Sequence, residues 1–244
     1  MPGDPPAVYR HDGWCPACLS AATFTAGHAW YRDHLVCDRC GSVPRERALA
    51  LVLHERVPRW RELRIHEASP LLRGVSHLLA TQCGRYVPSY FHPDHPLGAT
   101  VDGHRNEDLE AQTFPDASFD LVVSLDVMEH LNEPARCVQE VWRTLAAGGA
   151  YLFTAPTYKD AITSTRAARF LPDGRIEHFR EPEYHGNPVD PRGSLVTFRY
   201  GYDLPELLRS WAPFDVRVYR FHDHHHGVLG EFTEVYLCEK RARS

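Results

Sequence analysis

Three features of the 244-residue chain predict an α/β protein with a doubly wound, mostly parallel sheet behind a small metal-stapled module. From Leu63 onward short apolar runs alternate with helical patterns, as expected of parallel strands joined by covering helices. One strand, helix, strand unit between Phe119 and Thr154 is punctuated clearly. Four cysteines also stand as two close pairs near the start of the chain.

The module comes first. Cys15-Pro-Ala-Cys18 and Cys37-Asp-Arg-Cys40 are eighteen residues apart, within the spacing of zinc ribbons. Two residues between thiolates let a tight turn aim both sulfurs at one ion, and two such turns complete a closed tetrahedral shell. Cys15, Cys18, Cys37 and Cys40 are therefore expected to hold a structural Zn²⁺. A segment of about forty residues buries too little apolar surface to fold alone, so the ion supplies its stability. Trp14, Phe24, Trp30, Tyr31 and Val36 are expected to pack around the ion or against the next domain. Residues 1–44 form this ribbon in our reading, and residues 45–244 the larger domain. Cys83, Cys137 and Cys238 stand singly, which argues against a disulfide framework.

Pro44 suits a helix start, and Leu49, Val52 and Leu53 recur at helical spacing. Arg45, Arg47, Arg56, Arg59, Arg61 and Arg64 make the stretch locally basic, which reads as a solvated helix face. Strands are expected near residues 63–68, 85–91, 120–125, 149–155, 215–221 and 233–239. The run Phe119-Asp120-Leu121-Val122-Val123-Ser124-Leu125 suits a strand buried on both faces. Pro134 then opens a helix with Val138, Val141, Trp142 and Leu145 on one face. Gly148-Gly149 closes it, and the strand Ala150–Thr154 follows.

Composition narrows the class. The chain is 43% hydrophobic with a formal net charge of -5. It has no apolar run near the roughly 20 residues of a membrane helix, and its N-terminus lacks the order of a signal peptide. A cytoplasmic protein without a membrane partner is expected. The acidic balance excludes a surface dominated by phosphate-binding residues. In the ribbon, Arg10, Arg32 and Arg39 are offset by Asp4, Asp12, Asp33 and Asp38, so a nucleic-acid partner is not expected.

The stretch 107–156 contains, in order, Asp108-Leu109, Phe119 to Val122, Glu129-His130, Arg143 to Gly149 and Pro156. In that order these elements resemble the second half of the class I methyltransferase core of the type 11 group. The resemblance implies a Rossmann-like sheet of seven strands that binds S-adenosylmethionine, with Asp108-Leu109 at the adenine. Ligands of open α/β sheets settle beyond the carboxyl ends of the strands near the switch in strand order. That places the cofactor against residues 66–70, 89–94, 107–109 and 124–130. The residues named for it are His66, Glu67, Ala68, Ser69, Asp94, Asp108, Leu109, Asp126, Val127 and His130. The chain departs from the family at the first turn, where Ile65-His66-Glu67-Ala68-Ser69-Pro70 replaces the usual glycines. The acidic residue normally ending the second strand is missing from Ser89-Tyr90-Phe91, which leaves Asp94 as a displaced substitute for the ribose hydroxyls.

A sulfonium donor is already cationic, so the protein mainly aligns donor with acceptor and excludes water. The acceptor is expected under the insertion of residues 157–200, in the class of small natural-product or sugar-type metabolites. His178 or His185 would take its proton, since an imidazole titrates near neutral pH. Tyr184 would orient it. Three rivals stand beside this reading: an RNA base methyltransferase gripping its substrate with the ribbon, a non-catalytic interaction protein, and an unusual alkyl transfer or cyclisation using the same cofactor. His222, His224 and His226 could converge from alternate positions of an extended segment, although a solvated loop accounts for them equally simply.

Overall fold

The computed structural model describes residues 8–187 and 189–241; Asp4 of the charge balance and Pro188 lie outside that range. The N-terminal strands β1 (Tyr9–Cys15), β2 (Ser20–Ala26) and β3 (Val36–Cys37) form a small antiparallel sheet, with the one-turn helix α1 (Tyr31–His34) before β3. Next come α2 (Pro44–Arg56), β4 (Ile65–Ala68), α3 (Gly74–Gln82), β5 (Tyr86–Tyr90), β6 (Thr100–Val101), β7 (His104–Asn106), β8 (Phe119–Leu125), α4 (Pro134–Thr144) and β9 (Leu145–Thr154).

Beyond β9 the insertion is built from three two-stranded pieces. They are β10 (Thr165–Arg166) with β15 (Phe198–Arg199), β11 (Ala168–Phe170) with β12 (Ile176–His178), and β13 (Tyr184–His185) with β14 (Ser194–Leu195). The chain finishes with α5 (Leu204–Trp211), β16 (Phe214–Tyr219) and β17 (Val235–Lys240).

The large sheet has eight strands in the order β16-β17-β9-β8-β4-β5-β7-β6. The five from β9 to β7 are parallel, and the antiparallel strands sit at the two edges. The strand beyond the predicted seven is β6. Asp102 and Gly103, both at positive φ, turn it back to pair with β7 in the tight Asp-Gly geometry favoured in hairpins. Two residues are too short for a period of two to register in sequence.

Strand alternation divides the core. Leu121 and Val123 of β8, Leu152 of β9 and Leu237 of β17 point to one face, and Val122, Tyr151, Phe153 and Tyr236 to the other. On the first face these residues share a continuous cluster with Leu49, Val52 and Leu53 of α2 and with Cys15, Phe24 and Leu35 of the ribbon. On the second they meet Val138 and Val141 of α4 and Leu204 and Leu208 of α5. Each such side chain withdrawn from water contributes about 1.5–3 kcal/mol.

Some local expectations are corrected. Helix α4 stops at Thr144 and β9 begins at Leu145, so Gly148 and Gly149 lie within the strand. Gly149 is required there, because a Cβ would meet the Asp120 carbonyl oxygen at 2.9 Å. Trp14 and Trp30 are not packed around the ribbon's cysteines: they are 42% and 37% exposed. The basic stretch is not a uniformly solvated face either. The Arg47 side chain is buried completely, and Arg45 is buried against carboxylates of the ribbon and the sheet.

Candidate cofactor and acceptor site

The four paired cysteines converge. Their sulfurs all lie within 4.8 Å of one another, with Cys15 and Cys40 3.7 Å apart. A tetrahedron with Zn–S bonds of about 2.3 Å has edges of about 3.75 Å, so the donor set fits such an ion. Crowded thiols push the Cys15 proton up to about 11, while Cys37 is drawn down by hydrogen bonds from Cys15 and Cys40. Beneath them Arg47 stacks on Phe24, 4.5 Å from the ring centre. It donates to the carbonyls of Leu35, Ser42 and Gly227. A buried guanidinium beside a cluster of thiolates offsets their charge and ties the ribbon to the 222–228 loop. In that loop His226 pairs with Asp223 at 2.6 Å and His224 Nδ1 lies 2.9 Å from the Tyr9 hydroxyl.

The carboxyl ends of the parallel strands β4, β5, β8 and β9 line up at one end of the sheet. After β4, Ala68 is buried and Ser69 takes a positive φ of 53°, with its N–H bonded to the Ser89 carbonyl at 2.8 Å. The Tyr90 hydroxyl donates to the Pro70 carbonyl at 2.8 Å, tying the first turn to the end of β5. The glycine missing from the early turn reappears as Gly74. It has φ of 53° and sits so close to Glu46 that a Cβ would approach its Oε2 to 2.4 Å.

Below this turn lie His66 and Glu67, both fully buried. His66 packs between Phe114 and Phe119 with Nε2 2.8 Å from Ser89 Oγ, and burial pushes its pKa down to about 3. Glu67 accepts from Ser76 Oγ at 2.5 Å and from the Tyr86 hydroxyl at 2.7 Å. Asp94 is exposed in the loop after β5, which Asn106 holds by bonds to His92, His95 and Pro96. Asp108 and the buried Leu109 follow β7; Asp108 Oδ1 accepts the Glu110 N–H at 2.8 Å, and burial raises its pKa.

At the end of β8, Asp126 adopts φ of 52° and anchors the following turn. Its Oδ1 accepts from Thr154 Oγ1 at 2.8 Å, and its Oδ2 meets Arg32 at 2.5 Å and Arg45 at 2.7 Å. Val127 leads into the 3₁₀ turn Met128–His130. The insertion is stitched onto this turn. Thr197 donates its N–H and hydroxyl to the Glu129 carbonyl, the Tyr200 hydroxyl donates to the Met128 carbonyl, and His130 Nδ1 lies 2.9 Å from the Leu195 carbonyl.

Of the acceptor-side residues, His185 is brought into contact with this turn: its Nδ1 lies 3.6 Å from Glu129 Oε1. The buried carboxylate holds the His185 ring above its ordinary pKa. Tyr184, its neighbour on β13, is 54% exposed, and His178 is exposed on β12. A recess of about 300 Å³ lined by Ala167, Arg180, Glu183 and Arg199 opens beside the cluster.

Residues 96–153 match the family described as Methyltransferase domain. The structure superposes on the S-adenosylmethionine-dependent methyltransferase of Mesorhizobium loti with a TM-score of 0.52, over 79% of this chain and 97% of that one, at 16% identity. A Listeria monocytogenes protein placed in the same class gives 0.50 over 80% and 98%, at 9% identity. The chain has the fold of these proteins, and its residues 96–153 are similar to a methyltransferase domain. A Mycolicibacterium smegmatis protein named for the same activity is 42% identical over 52 residues, a match spanning 21% of this chain and 20% of that relative.

Within this fold, several candidate site residues escape sequence reasoning. Arg32 and Arg45 reach Asp126 from far away in sequence, and His185 meets Glu129 only because the insertion folds back over the 128–130 turn. Glu129 was visible beside His130, but nothing local signals that its carboxylate is buried.

Glu67 has a consequence measurable by pH. Burial raises its pKa from 4.5 to about 7. The folded chain therefore keeps a proton that the unfolded chain releases, and stability is present below pH 4.5 and lost as pH rises through 7. The loss amounts to about 3 kcal/mol at full effect. Glu67→Gln removes it, so urea unfolding should show the variant gaining on the wild type by up to about 3 kcal/mol between pH 4.5 and 8. A difference constant with pH overturns the assignment.

Proposed function

We propose that the chain transfers a methyl group from S-adenosylmethionine to a small-molecule acceptor. What supports this is the end of the sheet, where Ser69, Asp108-Leu109 and the 126–130 turn follow β4, β7 and β8 in the order that the family segment implies. His66 and Glu67 support it from below, Ala68 and Ser69 form its floor, and Asp94, Val127 and His130 complete the cofactor set. Asp108 and Leu109 meet the adenine. In the acceptor's half, His185 and Glu129 lie where the acceptor loses its proton, with His178 and Tyr184 on the outer strands of the insertion. When bound, the sulfonium supplies the methyl group; the chain's residues orient the two reactants and exclude water.

Residues 1–44 serve as a zinc ribbon holding Zn²⁺ through Cys15, Cys18, Cys37 and Cys40, and residues 45–244 as the transfer domain. A small acceptor is favoured over RNA because Asp33 and Asp126 occupy Arg32 of the ribbon and Arg45 at the start of α2.

The test is calorimetry with S-adenosylhomocysteine, the demethylated product. One molecule should bind per chain at micromolar Kd, about -8 kcal/mol. Asp108→Ala should weaken binding by about tenfold, the loss of one hydrogen bond to a charged group. An absence of heat at millimolar ligand sinks the reading.

A further inference from the structure

Glu129, His130 and His185 come from two separated parts of the chain and aim three ligand atoms at one point. These atoms all lie within 4.8 Å of one another. His130 Nε2 is 3.8 Å and His185 Nδ1 is 3.6 Å from Glu129 Oε1. The Glu129 side chain is 1% exposed, and neither carboxylate oxygen has a hydrogen-bond partner among the described residues. A buried carboxylate left in that state costs several kcal/mol unless a cation compensates it.

The far sides of the two imidazoles show what kind of cation fits. His130 Nδ1 faces the Leu195 carbonyl at 2.9 Å. A carbonyl only accepts, so Nδ1 carries the hydrogen and Nε2 is bare. His185 Nε2 faces Glu183 Oε1 at 3.1 Å, which places its hydrogen there and leaves Nδ1 bare. In their neutral forms both rings turn lone pairs toward this carboxylate, a set that takes up a cation, whether a proton on His185 or a metal ion. Outer partners of this kind, a carboxylate on one histidine and a backbone carbonyl on the other, orient metal-bound imidazoles and raise their basicity. Bonds of about 2.0–2.2 Å to nitrogen and oxygen put neighbouring ligand atoms roughly 3–3.5 Å apart, a few tenths of an ångström inside the two distances to Glu129.

We propose that Glu129, His130 and His185 form a second metal site, separate from the four cysteines, for a divalent transition-metal ion of the Zn²⁺ or Fe²⁺ type. Two imidazoles disfavour Mg²⁺ and Ca²⁺, which prefer oxygen. Three protein ligands leave coordination positions open. If the chain is the methyltransferase proposed above, those positions suit an acceptor with a hydroxyl or enol oxygen. The ion acidifies that oxygen. Its proton leaves to solvent, and a lone pair on the oxygen forms the new O–C bond as the S–CH₃ bond breaks and its electron pair returns to sulfur.

The test uses full-length protein stripped of metal, reloaded with one equivalent of Zn²⁺ for the cysteines, then titrated with Co²⁺. Calorimetry and the visible d–d absorption of cobalt are the readouts. Wild type should take up one equivalent of Co²⁺ with a spectrum free of sulfur charge-transfer bands. Glu129→Gln and His185→Gln should weaken this uptake at least about 100-fold, and Glu183→Gln, which touches only the outer shell, by about 10–100-fold. All three variants should keep the first equivalent of Zn²⁺ and the far-ultraviolet circular dichroism of the wild type, which separates ligand loss from misfolding. Uptake of Co²⁺ that is absent in wild type, or unchanged in Glu129→Gln, overturns the proposal. S-adenosylhomocysteine binding, measured on the same samples, reports on the transferase reading independently: loss of the second metal alone leaves it intact.

Discussion

Cys37→Ser is expected to release the Zn²⁺ of the ribbon and lower the thermal midpoint by more than about 10 °C. The ribbon's strands are short and its two tryptophans, Trp14 and Trp30, are partly exposed, so beyond Phe24 and Leu35 little large apolar burial remains to hold it closed. Structural zinc sites bind with about 10–16 kcal/mol. Half of that, converted at about 2–4 °C per kcal/mol for a chain of this size, already reaches about 10 °C. The damage should spread, because Cys15, Phe24 and Leu35 belong to the same apolar cluster as Leu49 and Leu152. Arg47, wedged under the cysteines, would also lose the thiolates that compensate it. Atomic-absorption counting together with a thermal melt is the check, and Cys238→Ser, a buried cysteine on the opposite face of the sheet, is the control. Unchanged metal content in Cys37→Ser would exclude the four-cysteine site.

Legibility of the chain followed the range of the interactions involved. Four of the five parallel strands could be read because apolar runs such as Leu121-Val122-Val123 state burial on both faces locally, whereas β7, the three polar residues His104–Asn106, gave no such signal. The cysteine pairs could be read because two-residue spacing is itself a geometric constraint. The three small strand pairs of the insertion could not, since pairs of two or three residues carry no period and are specified by contacts such as Thr197 to Glu129. The arginines illustrate the same limit. Arg45, Arg47 and Arg59 look equivalent in a basic stretch, yet Arg59 is exposed while Arg45 and Arg47 are buried on partners distant in sequence. Charge alone does not distinguish them; the fold does.

Those buried arginines lead to the second large effect. Asp126→Asn is expected to cost about 3 kcal/mol, or roughly 6–12 °C in thermal midpoint. Asparagine is nearly the same shape and tolerates the positive φ of 52° at this position, so the substitution removes charge with little backbone strain. Two guanidiniums, with side chains 11% and 13% exposed, would then lose their shared carboxylate, and breaking one side of a buried pair costs more than the pair contributes in an exposed setting. A double-mutant cycle with Arg45→Met should return a coupling above about 1 kcal/mol. It should change little in 0.5 M salt, because screening acts weakly on buried charges. Coupling near zero would demote the contact to an ordinary surface ion pair. The contact also joins the ribbon to the turn that presents Glu129 and His130, so Asp126→Asn should weaken S-adenosylhomocysteine binding and second-site metal uptake together, while zinc remains on the four cysteines.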